Sequence, residues 1–252
     1  MISWIKEQLK SAGFGRLQKF DFVADGVAVT GKNLAALKDP KFQAAYAVAE
    51  RLNAEGWPEG VPDIRWRAHV CCWAAMQALK LEGDFVECGV HTGILSITVA
   101  EYLGFAKLPR TFWLFDTFQG IPTERLAADE KAHAKHLNEV LFFDCYEVAQ
   151  RNFAPYPNAR LVRGMLPDTI AATDLRRIAY LSIDLNNAQA EMATIEVLWS
   201  MLSPGAIVVL DDYAFKTYEP QHEAWNRFAA EHGLMVLTVP TGQGILIKPA
   251  VG

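Results

Sequence analysis

Asp184 follows the apolar run Ala179-Tyr180-Leu181-Ser182-Ile183, and Asp211-Asp212 follows Ala206-Ile207-Val208-Val209-Leu210. If the two runs are neighbouring strands, the three carboxylates meet at one edge of a sheet. Carboxylates that close repel one another unless a proton or a cation intervenes. Their hard oxygens suit Mg²⁺, which keeps coordination positions open for water or substrate. The alternative gives one carboxylate to a cofactor and another to a helix cap, with no metal. Acidic clusters at ligand-binding edges favour the cation.

A second group lies upstream, in Glu87-Cys88-Gly89-Val90-His91-Thr92-Gly93, where a strand runs into a helix. Gly89 permits a tight turn and close approach of a ligand, and Gly93 would let the helix sit near that ligand. A dinucleotide turn wants G-x-G-x-x-G, with a middle glycine that admits the pyrophosphate. His91 stands at that place, which argues against a nicotinamide-dependent dehydrogenase. Asp116 ends the run Phe112-Trp113-Leu114-Phe115 and offers a carboxylate for both hydroxyls of a ribose, or else a loop cap. Arg163-Gly164 follows a further strand, and its glycine would let an adenine lie against the backbone. Together these positions point to an adenosine-containing ligand.

These residues need strands to carry them. Strands are expected at 85–88, 112–115, 160–163, 179–183, 206–210, 234–239 and 245–248, as continuous apolar runs of the kind that buried parallel sheets produce. Met192, Ile195, Trp199 and Leu202 trace a crossover helix before a Ser203-Pro204-Gly205 turn, and 219–232 reads as another helix. Thr241-Gly242-Gln243-Gly244 marks a terminal hairpin. The expected fold is α/β, a doubly wound, Rossmann-like, mostly parallel seven-stranded sheet with a terminal antiparallel hairpin. Residues 83–252 form that domain. Residues 1–82 are a helical extension of short helices and loops, serving as an active-site cover or a homodimer contact. Within them Asp63 is expected to cap a helix whose buried side holds Ile64, Ala68, Cys71, Ala75, Ala78 and Leu79. The long connection at 117–138 sits where lids occur.

The 252 residues carry 24 Lys and Arg against 29 Asp and Glu, and the net charge of −5 argues against a broad nucleic-acid footprint. No apolar run reaches the roughly 18 residues of a membrane span. Lys6, Glu7 and Lys10 interrupt any secretory signal, so a cytoplasmic protein is expected. Cys71, Cys72, Cys88 and Cys145 form no metal-binding spacing and read as buried free thiols.

The stretches Glu87-Cys88-Gly89-Val90, Phe115-Asp116-Thr117-Phe118-Gln119-Gly120-Ile121-Pro122, Gly164-Met165-Leu166-Pro167-Asp168-Thr169 and Leu202-Ser203-Pro204-Gly205, closing on Asp211-Asp212-Tyr213, resemble the macrocin O-methyltransferase family (TylF/MycF-like). The match covers roughly residues 63–213. The family is similar to other class I S-adenosylmethionine-dependent methyltransferases, and its members methylate sugar hydroxyls of natural products with Mg²⁺. The resemblance implies that Glu87, Gly89, Gly93 and Asp116 hold S-adenosylmethionine. His91, Thr92 and Ser96 would lie around the turn, with Thr117, Phe118, Gly164, Met165 and Asp184 completing the wall. It also implies Asp184, Asp211 and Asp212 as metal ligands. The family's Asp-Gly-Asp followed by tyrosine is here Asp184-Leu185-Asn186-Asn187, and Asn187 stands where a catechol-type enzyme has a lysine base.

The reaction this implies is displacement at a sulfonium methyl group by a hydroxyl of a small-molecule acceptor. Asp184 takes part at the acceptor, and His133, His136 and His222 are the candidate bases. A catalytically silent, cofactor-binding partner protein is the rival reading, because the Leu185-Asn186 alteration is what a decayed site would carry. A nicotinamide-dependent dehydrogenase ranks third.

Overall fold

The computed structural model describes residues 19–57, 59–123, 128–140 and 143–250, without the side chains of 128–130, 132, 133 and 140. The described residues open with a hairpin, where only helices and loops are expected from the sequence. β1 (Phe22–Ala24) pairs antiparallel with β2 (Val27–Val29). The connecting Asp25-Gly26 has φ of 50° and 72°, the two left-handed residues that a two-residue hairpin turn requires. α1 (Pro40–Asn53) starts at Asp39, whose carboxylate accepts from the Phe42 amide at 2.9 Å. α2 (Arg65–Ala78) is preceded by Ile64, and Asp63 is not its cap. The Asp63 carboxylate is instead clasped by Arg65 Nε and Nη2 at 2.6 and 2.7 Å, a charged fork closer than the 3.4 Å bond it also accepts from the Arg65 amide. The expected apolar side is buried at Ile64, Ala68, Cys71, Ala75 and Ala78.

From there strands and helices alternate: β3 (Asp84–Cys88), α3 (Ile94–Leu103), β4 (Phe112–Asp116), α4 (Ala128–Val140), α5 (Tyr146–Phe153) and β5 (Ala159–Arg163). β6 (Ile178–Ile183), α6 (Ala188–Leu198), β7 (Leu202–Leu210), α7 (Glu219–Glu231), β8 (Leu237–Thr238) and β9 (Gly244–Ile247) complete it. The seven-stranded sheet has the order β5-β4-β3-β6-β7-β9-β8, and only β9 runs against the other strands, antiparallel to both β7 and β8. β8 is shorter than the expected 234–239. β7 is longer than expected and takes in Ser203-Pro204-Gly205, because a register shift opposite Ile178 and Tyr180 absorbs those residues.

Neighbouring residues on each strand feed opposite cores. Phe85, Tyr180 and Val209 join Phe42, Tyr46, Ala68 and Cys71 of α1 and α2 on one face. Val86, Leu181 and Val208 join Ile195, Trp225 and Phe228 of α6 and α7 on the other. The described part of residues 1–82 thus shares its core with the sheet. All four cysteines are buried and unpaired. Among the described residues no helix is long and apolar enough to cross a membrane.

For the site, register matters most. Cys88 lies opposite Ile183, and Ile183 opposite Leu210, so Gly89, Asp184 and Asp211 emerge side by side at the carboxyl edge.

Candidate active site

The ladder continues one residue past each strand: Asp184 N donates to Cys88 O at 2.7 Å, Gly89 N to Phe115 O at 2.8 Å and Asp211 N to Ile183 O at 3.0 Å. Loops leaving these ends enclose a pocket of about 410 Å³, the size of a small-ligand site. Gly89, at φ 86°, lies against the Asp184 backbone carbonyl so closely that a Cβ would overlap it. That absent side chain lets the β3 and β6 ends converge.

One end of the pocket is built from this turn. Glu87 is buried, and Ser96 Oγ donates to its Oε1 at 2.8 Å while Oε2 has no partner. Burial pushes its carboxyl up to about 8. Asp116 lines the pocket, yet its oxygens also serve the loops. Oδ2 accepts from the Val90 and His91 amides at 2.6 and 2.7 Å, and Oδ1 from Phe118 N at 2.7 Å. The loop-cap alternative is therefore realised, and the lone pairs left over are what remains for a ribose. His91, at φ 50°, packs edge-on against Trp57 and Phe143, and burial lowers its pKa. Thr117, Phe118, Gly164 and Met165 line the same end. Gly164 N donates to Asp116 O at 2.9 Å, which ties the third loop to the second.

At the other end Asp184, Asp211 and Asp212 each bring a carboxylate oxygen within 4.8 Å of the others. Burial, then the charges of Asp212 and Asp211, push Asp184 well above the usual carboxylate range. Burial and Asp211 raise Asp212 to about 7. Asn186 Nδ2 donates to Asp184 Oδ1 at 2.9 Å, and Asn186 Oδ1 accepts from Tyr218 Oη at 2.6 Å. Asp211 is already held on both oxygens: Gln243 Nε2 donates to Oδ1 at 2.9 Å and Arg67 Nη1 to Oδ2 at 2.5 Å. Burial opposes the Arg67 charge, but Asp211 and Asp25 outweigh it and raise its pKa.

Three expected cofactor residues stand behind the wall and do not line the pocket. Thr92 is fully buried and its hydroxyl donates to Asn53 Oδ1 at 2.6 Å, so it fastens the turn to α1. Gly93, at φ 99°, makes room for the Phe153 ring, which a Cβ would meet at 2.5 Å; it serves packing. Ser96 acts through Glu87 alone. Of the expected bases, His136 is exposed on α4, and the His133 side chain lies outside the described residues. His222 is turned away, with Nδ1 at 3.0 Å from Tyr213 O and its ring against Tyr213. Neither His136 nor His222 lines the pocket. The connection after β4 does, through Ile121, Pro122 and Leu137, and Asn138 brackets the Ile121 backbone at 2.8 and 2.9 Å. Arg67, Trp57, Tyr218 and, behind them, Asp25 and Gln243 were not singled out from the sequence. The Asp25-Gly26 pair between two apolar triplets was the available hairpin signal; nothing local marked Arg67.

A doubly wound sheet with an antiparallel last hairpin, a glycine turn with a buried acid at one end of its cleft and carboxylates at the other, defines a methyltransferase of the Rossmann-like class. The model of the family Macrocin-O-methyltransferase (TylF) matches residues 33–238, and the chain belongs to that family. It is 27% identical over 209 residues to the mycinamicin III 3''-O-methyltransferase of Micromonospora griseorubida, covering 76% of this chain and 80% of that one. Among solved structures, the O-methyltransferase NovP aligns with a TM-score of 0.69 at 22% identity, covering 86% of this chain and 100% of that one. An O-methyltransferase from Bacillus cereus in complex with SAH aligns at a TM-score of 0.51 and 13% identity, over 86% and 93% of the two chains.

Proposed function

We propose that this O-methyltransferase moves a methyl group from S-adenosylmethionine to a hydroxyl of a small-molecule acceptor, a natural-product sugar as its relatives' names suggest, with help from Mg²⁺. The observation that carries this reading is one continuous pocket that joins the Glu87–Gly89 turn to the three carboxylates.

Two features fit the donor. Glu87 Oε2 is buried without a partner, and an ammonium beside it would draw the carboxyl back to its ionised form. Gly89 leaves the turn open for close approach. The carboxylate end fits a hard divalent cation, since burial first, and then the charge of Asp211 on both and of Asp212 on Asp184, raise Asp184 and Asp212, and a cation would offset both causes. When bound, the sulfonium supplies the electrophilic methyl group, and a divalent ion lowers the pKa of the acceptor hydroxyl.

The chain's own part is placement. Asp116 clamps the β3–α3 turn to the next loop, which fixes the donor end. Asn186 and Tyr218 aim Asp184, and Gln243 and Arg67 aim Asp211. The described part of residues 1–82 brings Arg67 to the acceptor end, and Ile121, Pro122 and Leu137 of the connection after β4 wall the pocket, as residues of a lid would. Loss of the acceptor's proton is assigned to the carboxylate edge, where Asp184 and Asp212 line the pocket with raised carboxyls; His136 and His222 do not line it.

Calorimetric titration with S-adenosylmethionine and S-adenosylhomocysteine tests the donor. Binding of both is expected, and no heat from either at millimolar concentration removes the proposal. Methyl transfer that survives both chelation and Asp184→Ala would remove the metal from it.

A further inference from the structure

The pocket already holds a cation of its own. Among the described lining residues Arg67 is the one lysine or arginine, and it comes from α2 while the carboxylates come from the strand ends. Its Nε and Nη2 clasp the Asp25 carboxylate at 2.8 and 3.0 Å, while Nη1 reaches Asp211 at 2.5 Å. The Phe215 ring lies 5.4 Å from the guanidinium carbon. All three partners of this bridge are nearly buried, with side-chain exposures of 15%, 12% and 2% for Arg67, Asp25 and Asp211, so solvent screens it weakly. Among the described residues neither Asp184 nor Asp212 makes an ion pair of this kind. The cluster is thus asymmetric: two carboxylates open to a cation, and one already paired.

We infer that Arg67 sets how tightly the carboxylate cluster takes a divalent cation, by competing with it for Asp211, and that Asp25 sets how hard Arg67 competes. This rests on the proposed cation site. A divalent ion drawn to Asp211 meets both an occupied oxygen and the repulsion of a fixed positive charge. Asp25 works against that repulsion, because its two bonds spread the guanidinium charge between two carboxylates. Removing Asp25 leaves Arg67 to Asp211 alone and takes a negative charge from the neighbourhood. Arg67 is therefore a positioning residue with a definite electrostatic sign. Asp25 is carried by the β1–β2 turn, so the N-terminal hairpin reaches the chemistry through one arginine.

The sign supplies the test. Mn²⁺ is titrated into the full chain, without donor or acceptor, and the free ion is followed by electron paramagnetic resonance. Arg67→Gln should bind Mn²⁺ at least about tenfold more tightly than the unaltered protein, since a unit positive charge bonded to one of the ion's ligands is worth on the order of that much even at a high effective dielectric. Asp25→Asn should bind it more weakly, and Arg67→Lys, which keeps the charge, should stay near the unaltered value. A purely structural bridge would weaken binding in both Arg67→Gln and Asp25→Asn. Weaker or equal binding by Arg67→Gln, with binding by the unaltered protein intact, overturns the inference and leaves the cation site standing. Absence of Mn²⁺ binding by every form overturns both. Binding by Arg67→Gln where the unaltered protein binds none supports the competition. Should Arg67→Gln not fold, Asp25→Asn decides: binding as tight as in the unaltered protein, or tighter, overturns the inference.

Discussion

Gly89→Ala asks whether the two ends of the pocket depend on a single missing side chain. Two costs arise there. Gly89 has φ 86°, and alanine in the left-handed region loses about 1–2 kcal/mol. The added Cβ also overlaps the Asp184 carbonyl, which is backbone and cannot rotate away. Forcing β3 and β6 apart at that point costs roughly 1–3 kcal/mol more, as overpacking does elsewhere. Gly104 supplies the control, since its φ is 63° and nothing lies within 4 Å of a Cβ built on it. Gly104→Ala therefore carries the first cost alone.

Urea unfolding of both variants measures the difference directly. For a chain of this size each kcal/mol moves the melting temperature by roughly 2–4 °C, so the extra collision is resolved by calorimetry as well. Displacing Asp184 also disturbs the carboxylate cluster, so folded Gly89→Ala should lose affinity for both S-adenosylmethionine and Mn²⁺, while Gly104→Ala keeps both. If Gly89→Ala is as stable as Gly104→Ala and binds both ligands unchanged, the β3 and β6 ends are not held together as described, and the argument fails.

Three further outcomes are expected. Glu87 is raised from 4.5 to about 8 by burial, so between those values the folded chain keeps a proton that the unfolded chain has released. Its ionisation thus destabilises the fold as pH rises through that window and costs nothing below it. Glu87→Gln should gain stability relative to the unaltered protein from pH 5 to pH 8, on the order of a few kcal/mol, and an unchanging gap in melting temperature would contradict this. Thr92→Val leaves Asn53 Oδ1 without its 2.6 Å donor in a buried setting, for a loss of about 1–3 kcal/mol. Donor affinity in that variant should hold, and a large drop would return Thr92 to the binding wall. His222→Ala should leave kcat and its pH profile unaltered, since the ring is spent on Tyr213; loss of an alkaline or acidic limb would make it a base after all.

The donor end was legible because its parts are local. Glu87, Gly89 and His91 lie within five residues, and a strand ending in Gly89 must turn there whatever the rest of the chain does. The sheet was legible for a similar reason: β6 is buried at all six positions, and such runs announce themselves without reference to a partner. What failed was competition between local partners. Asp63 and Thr92 were assigned by type, a cap and a ligand contact, but each had a closer or better-desolvated partner in Arg65 or Asn53. For Gly93 the sequence shows that the helix can sit close, but only the packed Phe153 ring reveals what the missing side chain makes room for.

The acceptor end was read only in part, and the missing part is the one that sets its charge. Asp184 and Asp211 followed from strand register, but Arg67 lies 144 residues from Asp211 and 42 from Asp25, and no spacing rule connects them. The same holds for Asn186, which from sequence alone is an acid replaced by an amide and could be taken for decay. In three dimensions its amide donates to Asp184 and accepts from Tyr218, 32 residues away. A carboxylate at position 186 could accept from Tyr218 but, when ionised, could not donate to Asp184, and it would add a fourth carboxylate to a cluster already raised by burial and by its own charges. The amide therefore does two things an acid cannot: it fixes Asp184 and spares the cluster a charge. Arg67, paired with Asp211, adds to this in the same direction, toward a less negative acceptor end. The charge of this edge is therefore the property on which acceptor and cation binding should turn.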